Sequence, residues 1–339
     1  MVIQNRMGRI MVFSALLVVA LGMISSSAFA QYTLTNLTSN LPGKAQNQDT
    51  SLVNAWGISY APTGPFWVSD NGTGLSTLYN ASGVKQSTVV TIPSSSGSGT
   101  GSPTGQVYNS TPGFVVSQNG HSGAALFIFA TFDGTISGWS PGVNATNAVI
   151  AVNHSGAWFT GLAMGVNGGS SFLFAADNLN NKVDVYNSTF QLVSSFTDTS
   201  LPAGSAPYNV VNIGGQLYVT FTNSTGTGVV DVFTTAGVKV KTLVNGGKLS
   251  SPWGVALAPS NFGPASNALL VGNLGDGFIH AYNPSTGAYL GQSAVSINGL
   301  WSLIFGGGSG ANNGQTNQLF ITSGPNGYAD GLFSVANAK

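Results

Sequence analysis

Three residue types recur at matched places along this chain and could bind a ligand together. Trp56 is followed by Asp70 and Asn71, Asp177 runs directly into Asn178, Trp253 precedes Asn273, and Trp301 completes the set. Aromatic faces stack on sugars or peptide planes, and amides and carboxylates add directional hydrogen bonds. Such a site needs neither a nucleophile nor strong charge. Other chemistries find less support. The histidines are His121, His154 and His280, and none has a partner at metal-ligand spacing. There is no Gly-x-Ser-x-Gly elbow. The lack of cysteine removes thiol catalysis and haem attachment. A Ser-His-Asp site assembled from distant segments stays open.

The elements that must position these residues show as an internal repeat. An opening motif recurs as Asn54-Ala55-Trp56-Gly57-Ile58, Pro103-Thr104-Gly105-Gln106-Val107, Phe159-Thr160-Gly161-Leu162-Ala163, Ala206-Pro207-Tyr208-Asn209-Val210, Ser251-Pro252-Trp253-Gly254-Val255 and Gly299-Leu300-Trp301-Ser302-Leu303. With Trp56, Thr104, Thr160, Tyr208, Trp253 and Trp301 as equivalents, the spacings are 48, 56, 48, 45 and 48 residues, close to the period of propeller blades, about 40–50 residues, with the step from Thr104 to Thr160 the longest. Each unit continues with a second strand, such as Phe66-Trp67-Val68-Ser69-Asp70. A turn such as Asn71-Gly72 or Asp276-Gly277 leads to a third, such as Val229-Val230-Asp231-Val232-Phe233. Fourth strands show at 87–92 and 238–243. Without helical periodicity, four strands per unit mean blades rather than βαβ units. The expected fold is all-β, a six-bladed propeller of four-stranded antiparallel blades spanning 31–339.

The sixth unit runs out after its third strand, Gly331-Leu332-Phe333-Ser334-Val335. Tyr32-Thr33-Leu34-Thr35-Asn36-Leu37 alternates apolar and polar and offers the spare strand. Pairing it on the outside of the last blade would close the ring and cover an edge. Before it, Arg6 and Arg9, an apolar stretch over 10–24 and the small-x-small pattern Ala28-Phe29-Ala30 read as a signal peptide over 1–30. The alternative is an N-terminal membrane anchor. Cleavage after Ala30 would leave a mature chain in the periplasm or outside the cell.

Antiparallel order puts the start of a first strand and the end of the second on one face. Trp56 with Asp70 and Asn71, Asp177 with Asn178, Trp253 with Asn273, and Trp301 therefore converge at one channel mouth, which the 94–102 loop enters from the same side. The competing reading is structural: tryptophans pack between blades, while Asp and Asn cap turns. Asp184 and Asp231 fall inside third strands and read as cross-strand or turn partners.

Composition narrows the partners. Beyond the signal the chain has seven lysines and nine aspartates, a net charge of −2, and no arginine or glutamate. That balance gives no footprint for nucleic acid and no polybasic patch for anionic lipid. No later segment is apolar enough to span a membrane, and a monomer is expected. With no disulfide available, packing and strand pairing must hold the fold.

The stretches 52–57 and 65–74, with Gly134-Thr135-Ile136-Ser137-Gly138-Trp139, Ser251-Pro252-Trp253-Gly254-Val255, Leu269-Leu270-Val271-Gly272-Asn273, Asn298-Gly299-Leu300-Trp301 and Ala329-Asp330-Gly331-Leu332-Phe333, resemble an uncharacterised family of exported bacterial proteins. That family is often associated with PEP-CTERM sorting and is related to NHL-type propellers. The resemblance covers the whole mature chain and implies a propeller and export, but no reaction. A role in surface sorting is not expected.

Two functions follow. One is a non-catalytic exported propeller that binds a protein, glycan or small ligand at the channel mouth. The other is a hydrolase or lyase of the six-bladed lactonase-like type, with calcium on Asp70, Asp177, Asn273 and backbone carbonyls. Such enzymes generally place a Glu in the metal set. The missing Glu favours the first function, which calls for no cofactor.

Overall fold

The computed structural model describes residues 32–338. The expected signal peptide and its cleavage site lie outside the described residues. Six blades surround an axis, each a four-stranded antiparallel sheet. The strands nearest the axis are Ala55–Tyr60, Pro103–Tyr108, Phe159–Asn167, Ala206–Ile213, Pro252–Leu257 and Leu300–Phe305, one from each opening motif. The expected fold class holds in every blade.

The N-terminal strand, Tyr32–Ser39, lies on the outside of blade 6 and runs antiparallel to Leu332–Ala338. The ladder runs from Tyr32 opposite Ala338 to Ser39 opposite Leu332, with a bulge at Leu37. A two-residue strand, Asn47–Gln48, adds to it in parallel. The ring thus closes by pairing the two ends of the described chain.

Blade 2 differs from the others. Between its first two strands it carries an extra hairpin, Val115–Gln118 with His121–Ala124, and this accounts for the longer spacing from Thr104 to Thr160. The stretch has few alternating apolar residues, so it reads as a Gly-rich loop in the sequence. The only helix among the described residues is a single 3₁₀ turn, Gly263–Ala265.

The core is divided among the seams between blades. Trp67, Phe127, Phe129 and Trp139 fill the seam between blades 1 and 2. Phe66, Tyr79, Phe320 and Phe333 fill the seam between blades 6 and 1. Four more apolar clusters occupy the remaining seams. A seventh lies on the axis and consists of Trp56, Trp253 and Trp301.

The Trp-Gly pairing of the opening motif has a steric cause. A Cβ on Gly57 would stand 2.2 Å from the Thr104 carbonyl oxygen of the next blade. One on Gly105 would stand 2.2 Å from the Leu162 nitrogen, and one on Gly254 2.5 Å from the Trp301 carbonyl oxygen. First strands converge on the axis, so their backbones approach closely and leave no room for a side chain pointing at the neighbour.

Candidate functional site

The residues that open each first strand meet on the axis. Trp56 and Trp301 stack with ring centroids 3.6 Å apart and planes at 14°. Trp253 stands edge-on to both, at 6.3 Å from Trp56 and 6.1 Å from Trp301. Tyr208 adds a fourth ring edge-on to Trp301. Trp301 Nε1 donates to Asn54 Oδ1 at 2.8 Å, and Trp253 Nε1 donates to the Thr160 carbonyl at 2.9 Å. The three tryptophans are only 6, 4 and 2% exposed, in chain order. They plug the channel at the end where a mouth is expected. A cavity of about 580 Å³ occupies the rest of the channel, lined by first-strand residues including Tyr60, Tyr108, Met164, Asn212 and Phe305.

The polar members of the expected site share this end. Ala55 faces Asp70 across its ladder, Phe159 faces Asp177, and Pro252 faces Asn273. Asn71 Nδ2 donates to the Pro103 carbonyl, and Asn178 Nδ2 to the Pro207 carbonyl, so each ties its blade to the next. Asp177 accepts from the Trp158 and Asn180 backbone amides and from Asn180 Nδ2. Asn273 Nδ2 donates to the Lys248 carbonyl at 2.7 Å. These contacts fix turns and seams.

Asp70 is fully buried and accepts from Thr77 Oγ1 at 2.7 Å. Thr77 lies beside Tyr79, whose hydroxyl donates to Asp49, and Asp49 pairs with Lys85 at 2.8 Å. Burial, with the Asp49 charge nearby, raises the Asp70 carboxyl well above the usual range. Lys85 and Tyr79 hold Asp49 below it. Of the oxygens expected for calcium, those of Asp177 accept hydrogen bonds in its own turn, whereas Asp70 Oδ1 and Asn273 Oδ1 are buried with no hydrogen-bond partner. No group of three or more His or Asp side chains stands at ligand positions among the described residues.

Surface aromatics cover the plug. Phe132 lies 6.4 Å from Trp56 and stacks on Trp158 at 5.0 Å, while Tyr328 lies 5.6 Å from Trp301. A continuous run of rings crosses this end from Trp158 through Phe132, Trp56 and Trp301 to Tyr328. Its two ends are open to solvent, Trp158 at 42% and Tyr328 at 44% exposed. Leu179 is exposed, and Leu274 packs half-buried against the tryptophans. The sequence reading singled out none of these outer residues. A signal for two of them was present: Phe132 and Leu274 hold the repeat position of Asn71 and Asn178, one residue beyond the second strand.

The histidines lie elsewhere. His121 is exposed on the blade 2 hairpin. His154 approaches Asp184 at 3.5 Å, and Asp184 also pairs with Lys182 at 2.9 Å. His280 is buried in its third strand, 3.5 Å from Asp276, and burial lowers its pKa. Asp184, Asp231 and His280 occupy one repeat position, opposite Ala175, Val219 and Val271. Lys182 serves Asp184, and Lys239 lies 3.7 Å from Asp231 and also pairs with Asp198. These polar residues thus sit in the seams between blades and not at the channel.

No family model matches the chain. An uncharacterised protein of Acanthamoeba polyphaga mimivirus is 27% identical over 323 residues, covering 90% of this chain and 80% of that protein. A second from the same virus is 28% identical over 296 residues, 82% of this chain and 78% of the relative. These relatives are viral, and they give no support to the expected bacterial family or its PEP-CTERM association. Among solved structures, virginiamycin B lyase from Staphylococcus aureus superposes with a TM-score of 0.55 at 12% identity, over 90% of this chain and 99% of the lyase. A streptogramin B lyase gives 0.56 at 12%, over 92% and 99%. A catalytically inactive histidine-to-alanine variant of the Staphylococcus aureus lyase, with quinupristin, gives 0.53 at 13% over 86% and 82%. At such identities the likeness establishes the fold, a β-propeller shared along nearly the full length of both chains.

Proposed function

We propose that this chain is an exported, non-catalytic propeller that binds a glycan or peptide on its aromatic face. The run of rings from Trp158 to Tyr328 carries the reading. Its rigid middle is held by the packed tryptophans, and its exposed ends offer stacking surfaces at little entropic cost. Asn178 and Asn180, respectively partly buried and exposed at this end, keep their side-chain carbonyl oxygens for neutral hydrogen bonds, their amide nitrogens being engaged within the fold. The surface suits an uncharged or weakly charged ligand, in keeping with a chain that is 5% charged. The lyases of like fold raise the enzymatic alternative. One of them is inactive as a histidine-to-alanine variant, whereas none of His121, His154 and His280 lines the channel here. That supports binding over catalysis.

The test is a glycan and peptide array probed with the purified protein, followed by titration of any hit against Trp158→Ala and Tyr328→Ala. Affinity should fall at least tenfold in each variant with the melting temperature unchanged. Equal affinity in both variants would remove the face from the binding site. Export is tested by N-terminal sequencing of the protein recovered outside the cytoplasm, with Gln31 expected as the first residue.

A further inference from the structure

We infer a second binding site, a pocket for an uncharged, largely apolar small molecule in the seam between blades 5 and 6. It begins with a break in the repeat. In the third strand of each blade, one residue faces the same point of the second strand: Tyr79 opposite Phe66, Trp139 opposite Phe127, Tyr186 opposite Leu173, Phe233 opposite Leu217 and Tyr282 opposite Leu269. All five are buried aromatics. Each belongs to the cluster filling the seam with the preceding blade. In blade 6 the position, opposite Leu319, is held by Ala336.

The seam that loses its aromatic is the one with space. A pocket of about 570 Å³ opens there, walled by Leu34, Phe262, Ile279, Val295, Leu319 and Ala336. The neighbouring core is also built from small residues, including Ala256, Ala265, Ala268 and Ala281. Phe262 and Phe305 pack edge-on nearby and do not fill the gap. A volume of this size lies within the range of small-molecule sites, about 300–1,000 Å³.

The walls define the ligand. No Asp, Lys or His lines the pocket. Its polar groups other than the exposed Thr33 are already partnered. Ser293 Oγ donates to the Val295 carbonyl and accepts from the Ile279 amide, and Ser296 Oγ donates to the Asp276 carbonyl. Asn36 accepts from Ser334 Oγ and donates to the Lys44 carbonyl. With no charge to neutralise and no polar group in need of a partner, affinity comes from apolar area removed from water, at roughly 25 cal/mol per Å². The pocket is separate from the aromatic face, so it does not depend on the function proposed above.

The experiment titrates the full-length protein with N-phenyl-1-naphthylamine, a neutral apolar dye whose emission rises and shifts to the blue in a dry site. Wild type should bind it saturably, at one dye per chain. Ala336→Phe, which restores the aromatic of the other blades, should weaken binding at least tenfold while the melting temperature holds or rises. If that variant fails to fold, Ala336→Leu should give a smaller loss in the same direction. Absence of saturable binding to wild type would overturn the proposal. So would dye affinity unchanged in a folded Ala336 variant but lost in Trp158→Ala, which would place the dye on the aromatic face.

Discussion

Trp56 and Trp301 stack face to face across the junction of the first and last blades, and the Trp301 indole also donates to Asn54 of blade 1. The same two rings plug the channel and fasten the closing seam. Trp301→Ala should therefore cost about 3–5 kcal/mol, the range for truncating a large buried aromatic. Chemical denaturation of the variant and wild type checks this. A loss under about 1 kcal/mol would mean that the plug relaxes to fill the hole.

Gly57→Ala should destabilise by about 1–3 kcal/mol, because its Cβ meets the Thr104 backbone and not a movable side chain. Gly142→Ala, where a Cβ meets nothing within 4 Å, serves as the control and should leave stability near wild type. Thermal melts of the two variants should separate clearly.

Asp231 links stability to pH. Burial raises its pKa to about 6 from the ordinary 3.8, with the nearby Asp198 carboxylate adding to the rise. Between those two values the folded chain holds a proton that the unfolded chain has released. Stability from this group is therefore complete at low pH and falls as pH rises through that window, levelling off above it. Asp231→Asn removes the dependence. The melting temperature of wild type minus that of the variant should decline from pH 4 to pH 6.5 and then stay level. Parallel curves would contradict the assignment. Asp49 and Asp198, both held low chiefly by lysine partners, act in the opposite sense and lose their contribution as pH falls below the ordinary carboxylate range.

Deleting residues 1–39 strips the outer strand from blade 6 and exposes the edge of Leu332–Ala338. The truncated chain should melt more than about 10 °C lower, given about 2–4 °C per kcal/mol for chains approaching this size. It should also form higher-order species by size-exclusion chromatography. Adding back a peptide of residues 31–40 should restore part of the loss.

The architecture was legible because each blade repeats its opening motif, and backbone crowding at the axis keeps glycine beside Trp56, Thr104, Thr160 and Trp253. The closing strand was legible from the alternation over 32–37. What a side chain touches was not. Strand direction places Trp253 at the right end of the barrel, but only the packing of neighbouring blades shows that its indole turns inward onto Trp56 and Trp301. Trp158 was missed because it precedes its strand and has no aromatic counterpart in the other motifs. Ala336 was missed because its importance lies in a side chain that is not there, visible only once the six third strands are in register.

The pairing of Tyr32–Ser39 with Leu332–Ala338 also constrains how the protein is made. The first described strand to leave the ribosome must wait for the last. A growing chain can assemble its early blades, whose strands are neighbours in sequence, but its ring stays open until Leu332–Ala338 has been made. During that interval the first strand has no partner, and the free edges on either side of the gap are exposed to other chains. The step that seals the circle is then a single long-range encounter, slow by its topology. Joining the two ends covalently and opening the chain at the 94–102 loop would make that encounter local, and the circular permutant should refold faster than the natural order.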